Sequence, residues 1–113
     1  MKSYVPLVAK KFRTGRLGLN EAANDPEVCD LSQLLAQGSD GASFEDLKAL
    51  VDGAATDGRW LILVGHEVAE SGYQTTSART LEALCRYAAD PGNGIWLDTV
   101  SRVGEYVAQS RKR

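Results

Sequence analysis

The sequence predicts an α/β domain built on parallel strands, and three observations predict it. From Ser43 onward, helical stripes alternate with short apolar runs in the order helix, strand, helix, strand, helix. Alternation of that kind implies parallel strands joined by right-handed crossovers. The run Trp60 to Val64 is almost continuously apolar, the pattern of a strand covered on both faces. Breaker-rich segments, "QGSDGA" and "DPGNG", punctuate the units.

Residues 4–11 suit a short helix, since Pro6 falls in its first turn, where the missing N–H costs nothing. Phe12 to Leu19, "FRTGRLGL", is glycine-punctuated and suits a short strand opening into a loop. The polar "NEAANDPEVCD" follows, with a turn starting at Asp25-Pro26. Leu31 to Ala36 is a strand-length apolar run, and the loop "QGSDGA" comes after it.

Ser43 with Asp46 resembles a capping box, with Asp in the place usual for Glu or Gln. Phe44, Leu47, Leu50, Val51 and Ala54 then form one helical stripe that Gly58 ends. Trp60 to Val64 is the next strand. Thr76 or Ser77 caps a helix with the stripe Leu81, Leu84, Cys85 and Ala88, which places Cys85 in the core. After "DPGNG", Ile95 to Leu97 reads as a short strand. Thr99 or Ser101 opens a last helix carrying Val103, Tyr106 and Val107. Trp60 and Trp96 read as anchors in or near the core.

The chain has 113 residues, a single domain spanning 1–113, with 43% hydrophobic and 25% charged residues. That is ordinary globular composition. A net charge of −2 offers no clustered basic face, so nucleic acid is not an expected partner. The basic end Arg111-Lys112-Arg113 reads as a solvated terminus. The two cysteines, Cys29 and Cys85, form no C-x-x-C pair and no disulfide scaffold. No secretory signal or membrane-length apolar segment is visible, and a cytoplasmic location is expected.

Candidate chemistry centres on the single histidine of the chain. In parallel α/β folds ligands meet the protein just beyond the carboxyl ends of strands. His66 lies there, directly after the predicted strand, with Glu67 and Glu70 in the loop that follows. An imidazole so placed can serve as general acid or base, or it can simply close the strand through a backbone hydrogen bond. Arg13 and Arg16 can clamp a carboxylate or phosphate, and otherwise are surface charges. With Tyr73 of "ESGYQTT" they complete the binding candidates. One histidine cannot supply the usual zinc ligand set, and no metal or cofactor is expected. There is no G-x-S-x-G, P-loop or G-x-G-x-x-G.

The order "LVDGAATDGRWLILVGHEV", "YQTTSARTLEALCRYAAD", "NGIWLDTVSRVGEYV" resembles the C-terminal half of polysaccharide deacetylases of the NodB-homology type, most clearly over residues 43–107. "LVGH" and "GIWLDTV" are its distinctive parts. The resemblance implies a distorted (β/α) barrel that removes acetyl groups from amino sugars with a divalent metal. Carried over, the role of general acid toward the leaving amine falls on His66 alone. The family's metal-holding aspartate and two histidines, and its base aspartate, belong to its N-terminal half. Here no histidine precedes position 66, and "FED" at 44–46 starts a predicted helix rather than ending a strand.

The resemblance therefore implies half a barrel that keeps the acid and lacks the metal set. A half-barrel exposes sheet edges and interior side chains, so a homodimer is expected to cover them. The expected function is a binding or assembly module, non-catalytic on its own, with carbohydrate as a ligand. The alternative is a hydrolase acting on acetylated carbohydrate, with His66 as acid and the metal site supplied by a partner subunit.

Overall fold

The computed structural model describes residues 3–19 and 21–112. The chain runs α1 (Val5–Lys11), β1 (Arg16–Leu19), β2 (Leu34–Gly38), α2 (Phe44–Asp57), β3 (Leu63–Val64), β4 (Glu67–Ala69), β5 (Thr75–Ser77), α3 (Ala78–Ala89), a 3₁₀ turn (Pro91–Asn93) and α4 (Val100–Ser110). It is a mixed α/β fold with parallel strands. One sheet has the order β1-β2-β3, and β4 and β5 form a separate parallel pair.

The local signals explain most of these boundaries. The Ser43 hydroxyl accepts from the Asp46 N–H while the Asp46 carboxylate accepts from the Ser43 N–H, closing a capping box at the start of α2. Gly58 ends that helix in the left-handed region, φ 64°, where glycine has no Cβ to clash. Ser77 caps α3 and Thr99 caps α4, each through its hydroxyl. Pro6 sits in the first turn of α1, and the Asp25 carboxylate accepts from the Glu27 N–H in the predicted turn.

Leu34, Ala36, Trp60, Ile62 and Val107 form the main core, with Cys29, Leu31, Val64 and Val103 packed around it. Burying a side chain such as Leu34 stabilises by about 1.5–3 kcal/mol. α4 packs closely on the segments holding Trp60 and Thr14 because Gly104 faces them. A Cβ there would sit 2.7 Å from Thr14 Cγ2 and 3.5 Å from Trp60 Cη2. α2 and α3 are clamped by Asp52, which accepts from both Lys48 Nζ (2.7 Å) and the Tyr87 hydroxyl. The Lys48 ammonium also lies over the Tyr87 ring.

Several expectations are corrected. Only Leu63–Val64 of the 60–64 run is in the ladder. Trp60 instead bridges antiparallel to Asn24, whose 2%-exposed side chain staples the two segments. Asn24 Nδ2 donates to the Leu35 carbonyl at 3.0 Å and the Trp60 carbonyl at 3.2 Å, and its Oδ1 accepts from the Leu35 N–H at 2.9 Å. β2 starts at Leu34 rather than Leu31, because Asp30 binds the Ser32 N–H and Gln33 Nε2 and holds 31–33 in a turn. It then runs through Gln37 and Gly38, which the sequence assigns to a loop.

Ile95 to Leu97 is not a strand. Gly94 at φ 66° turns the chain into it, and the Asp98 carboxylate takes the Thr99 N–H to begin α4, leaving too short a run to pair. Trp96 is accordingly not a core anchor. It is 54% exposed, edge-on to Tyr106, with Nε1 donating to Asp98. Cys85 is exposed rather than buried, because Leu84 and Ala88 take the inward face of α3. No helix among the described residues is long and apolar enough to cross a membrane.

Candidate functional site

Two loops leave the carboxyl ends of adjacent parallel strands. The register pairs Gly38 of β2 with Val64 of β3. Two residues beyond each lie Asp40 and His66, so the register alone brings them side by side. His66 Nδ1 stands 2.6 Å from Asp40 Oδ2, and the His66 backbone N–H donates to Asp40 Oδ1 at 3.3 Å. The imidazole is 56% exposed and the Asp40 side chain 20%, so the ring is held on its inner edge and open on its outer one.

A buried pair of hydroxyls stands behind the carboxylate. Thr76 Oγ1, from β5, donates to Asp40 Oδ1 at 2.9 Å and lies 2.7 Å from Ser39 Oγ. The Gly41 N–H donates to the Thr75 carbonyl, fixing the loop after β2 against β5. Gly65 makes this closure possible. A Cβ at that position would lie 2.6 Å from Thr76 Oγ1, 3.0 Å from Ser39 Oγ and 3.1 Å from Asp40 Oδ1. The bond from His66 holds the Asp40 carboxyl below its ordinary pKa. Partial burial opposes this, and Thr76 and the His66 N–H reinforce it.

The chemistry of the pair follows from these contacts. An ionised carboxylate only accepts hydrogen bonds. With Asp40 ionised, His66 therefore carries its proton on Nδ1 when neutral, and Nε2 faces outward with a free lone pair. A ring oriented this way presents Nε2 as its proton-exchanging atom.

The other sequence candidates are placed differently. Glu67 begins β4, and its carboxylate lies 3.4 Å from the Thr75 hydroxyl. Glu70 and Tyr73 are exposed in the connection between β4 and β5. Arg16 pairs in register with Leu34 at the opposite, amino end of the sheet, and its Nη1 donates to the Leu17 carbonyl. Arg13, three residues earlier, pairs with Glu105 at 3.5 Å. The structure thus does not bring Arg13 and Arg16 together with His66.

The residues present do not fit a bound divalent cation. Among the described residues, no three or more His, Cys, Asp or Glu side chains converge. The one carboxylate touching His66 has both oxygens engaged. Asp40, Thr76 and Ser39 are the site residues the sequence reading misses. Their signal is positional: Asp40 follows the end of β2 by the same offset at which His66 follows β3. Comparison with protein-family models, curated proteins and solved structures gives no match.

Proposed function

We propose that this chain is a polysaccharide-deacetylase-like module, non-catalytic on its own, that binds a carbohydrate at the strand ends and offers it an aspartate-held imidazole. The observation that carries this reading is the His66–Asp40 pair, one edge anchored and the other open at the carboxyl ends of β2 and β3. That is where ligands meet parallel α/β sheets. His66 corresponds to the acid in the "LVGH" resemblance, and Asp40 supplies what an acid there needs, a fixed tautomer and a counter-charge. Among the described residues no metal-ligand set converges, so metal-assisted turnover by the chain alone is not expected.

The test is titration of the labelled protein with N-acetylated chito-oligosaccharide, followed by amide and imidazole NMR shifts, alongside an acetate-release assay. The expected result is a saturable shift at His66 and its neighbours without acetate release above the His66→Ala background. Unmoved signals at His66 would end the carbohydrate reading. The exposed outer edge of His66 also favours a second reading, a hydrolase whose metal site comes from a partner subunit. Acetate release requiring both added metal and His66 would establish it.

The same reading includes a homodimer that completes a half-barrel. Its support is an open edge on β3 beside a groove of about 340 Å³, lined by Leu61, Leu63, Trp96, Val103 and Tyr106 among others. Trp96, Leu97 and Tyr106 remain exposed around it. The molecule is also thin, 39 × 36 × 18 Å, with a radius of gyration of 14.9 Å, against about 13.3 Å for a compact chain of this length. Light scattering at micromolar concentration is expected to give the mass of a dimer. A monodisperse monomer would remove this part of the proposal.

A further inference from the structure

We propose that Thr76 is a positioning residue of the His66–Asp40 pair, the hydroxyl that decides which way the Asp40 carboxylate faces and so which nitrogen of His66 carries the proton. The inference rests on the reading of His66 as a proton-transfer group and extends it to residues outside the pair.

The direction of each hydrogen bond follows from proton counting. An ionised Asp40 donates nothing, so the 2.9 Å contact between Thr76 Oγ1 and Asp40 Oδ1 uses the only proton of the Thr76 hydroxyl. The 2.7 Å contact between Ser39 Oγ and Thr76 Oγ1 must then be donated by Ser39. The 3.2 Å approach of Ser39 Oγ to the Val64 carbonyl receives at most a shared part of that proton. The chain therefore runs one way, from Ser39 to Thr76 to Asp40, while His66 donates to the same carboxylate from the other side.

Burial makes the direction durable. Thr76 is 3% exposed and Ser39 7%, so water does not compete for either hydroxyl. Oδ1 is held by Thr76 and by the His66 backbone N–H, which leaves Oδ2 for Nδ1. Without the Thr76 hydroxyl, Oδ1 keeps only the 3.3 Å backbone bond, and the carboxylate is free to turn and release the ring. The helix cap does not depend on Thr76, because the adjacent Ser77 performs it.

Since His66 is the single histidine, its two ring nitrogens can be read without ambiguity by long-range ¹H–¹⁵N correlation. The measurement is made near pH 9, well above the ordinary imidazole pKa of about 6.5. The wild type is expected to be protonated at Nδ1. Thr76→Val keeps the branched shape and removes the hydroxyl. It is expected to lower the Nδ1–H to Nε2–H ratio about tenfold, the scale of one hydrogen bond to a charged group. Thr76→Ser is expected to restore the ratio, which a general packing effect would not do.

An unchanged ratio in a folded Thr76→Val protein would overturn the inference and leave the pair itself standing. A wild-type ring protonated at Nε2 would overturn the pair and this inference with it. If Thr76→Val loses the native amide spectrum, the buried Thr76 hydroxyl proton decides the matter in the wild type. Nuclear Overhauser contacts to the Asp40 side chain support the inference, and contacts only to Ser39 refute it.

Discussion

Gly65→Ala tests whether the closure behind His66 is built as described. The added Cβ would meet Thr76 Oγ1 at 2.6 Å, Ser39 Oγ at 3.0 Å and Asp40 Oδ1 at 3.1 Å. Ordinary contact begins near 3.4 Å, so Thr76 Oγ1 must retreat by about 0.8 Å. None of the three atoms is the end of a long flexible side chain, and Thr76 is also fixed by its place in β5. A retreat of that size along the line from the new Cβ stretches the 2.9 Å Thr76–Asp40 bond to about 3.3 Å and weakens it. Overpacking of this kind costs about 1–3 kcal/mol. For a chain of this length that corresponds to a melting temperature lower by roughly 5–15 °C. Thermal unfolding by circular dichroism measures the loss, and the imidazole ¹⁵N shifts report whether His66 leaves its tautomer. A Gly65→Ala protein that melts within a degree of the wild type with His66 unchanged would refute the reasoning, because the oxygens would then not be packed on that Cα.

Three further outcomes are expected. Asn24→Ala leaves the Leu35 N–H and C=O without their side-chain partner, and should cost about 2–4 kcal/mol in urea unfolding, read by tryptophan fluorescence; a loss below about 1 kcal/mol would mean the staple is dispensable. Trp60→Ala should cost about 3–5 kcal/mol and Trp96→Ala less than about 1 kcal/mol, and equal costs would return Trp96 to the core. Asp40, held down by His66, and Asp52, held down by Lys48 and then Tyr87, both have folded pKa values below the ordinary 3.8. Their stabilisation is therefore complete above that value and is lost as pH falls through the folded values. The urea midpoint should drop on acidification below about pH 4, less steeply in Asp40→Asn, and a midpoint independent of pH there would contradict both assignments.

The parts of the fold legible in the sequence are those whose cause is local. The capping box at Ser43 and Asp46, the glycine stop at Gly58 and the Thr99 cap each need only neighbours within a few residues. Leu47, Leu84 and Ala88 are buried as their helical spacing requires. The parts that were not legible depend on distant partners. Residues 95–97 have strand-like composition, but a strand exists only where a ladder accepts it. Trp60 looks like the first residue of a strand, yet its partner is Asn24, a polar residue in a turn-rich segment that no periodicity marks. Cys85 lies at the margin of a stripe, where a rotation of one position separates core from solvent.

The candidate site divides along the same line. His66 is conspicuous because it interrupts an apolar run, whereas Asp40 is hidden in "QGSDGA", where aspartate, serine and glycine are the ordinary residues of a turn. What makes Asp40 special is register. A parallel pair of strands carries residues at equal offsets to the same end of the sheet, and one pairing, Gly38 with Val64, fixes the relation of everything just beyond it. A slip of one residue would exchange the faces of β3 and turn His66 away from Asp40. The apolar side chains that fix register, Leu34, Ala36 and Ile62, are therefore as necessary to the orientation of the imidazole as the carboxylate that holds it.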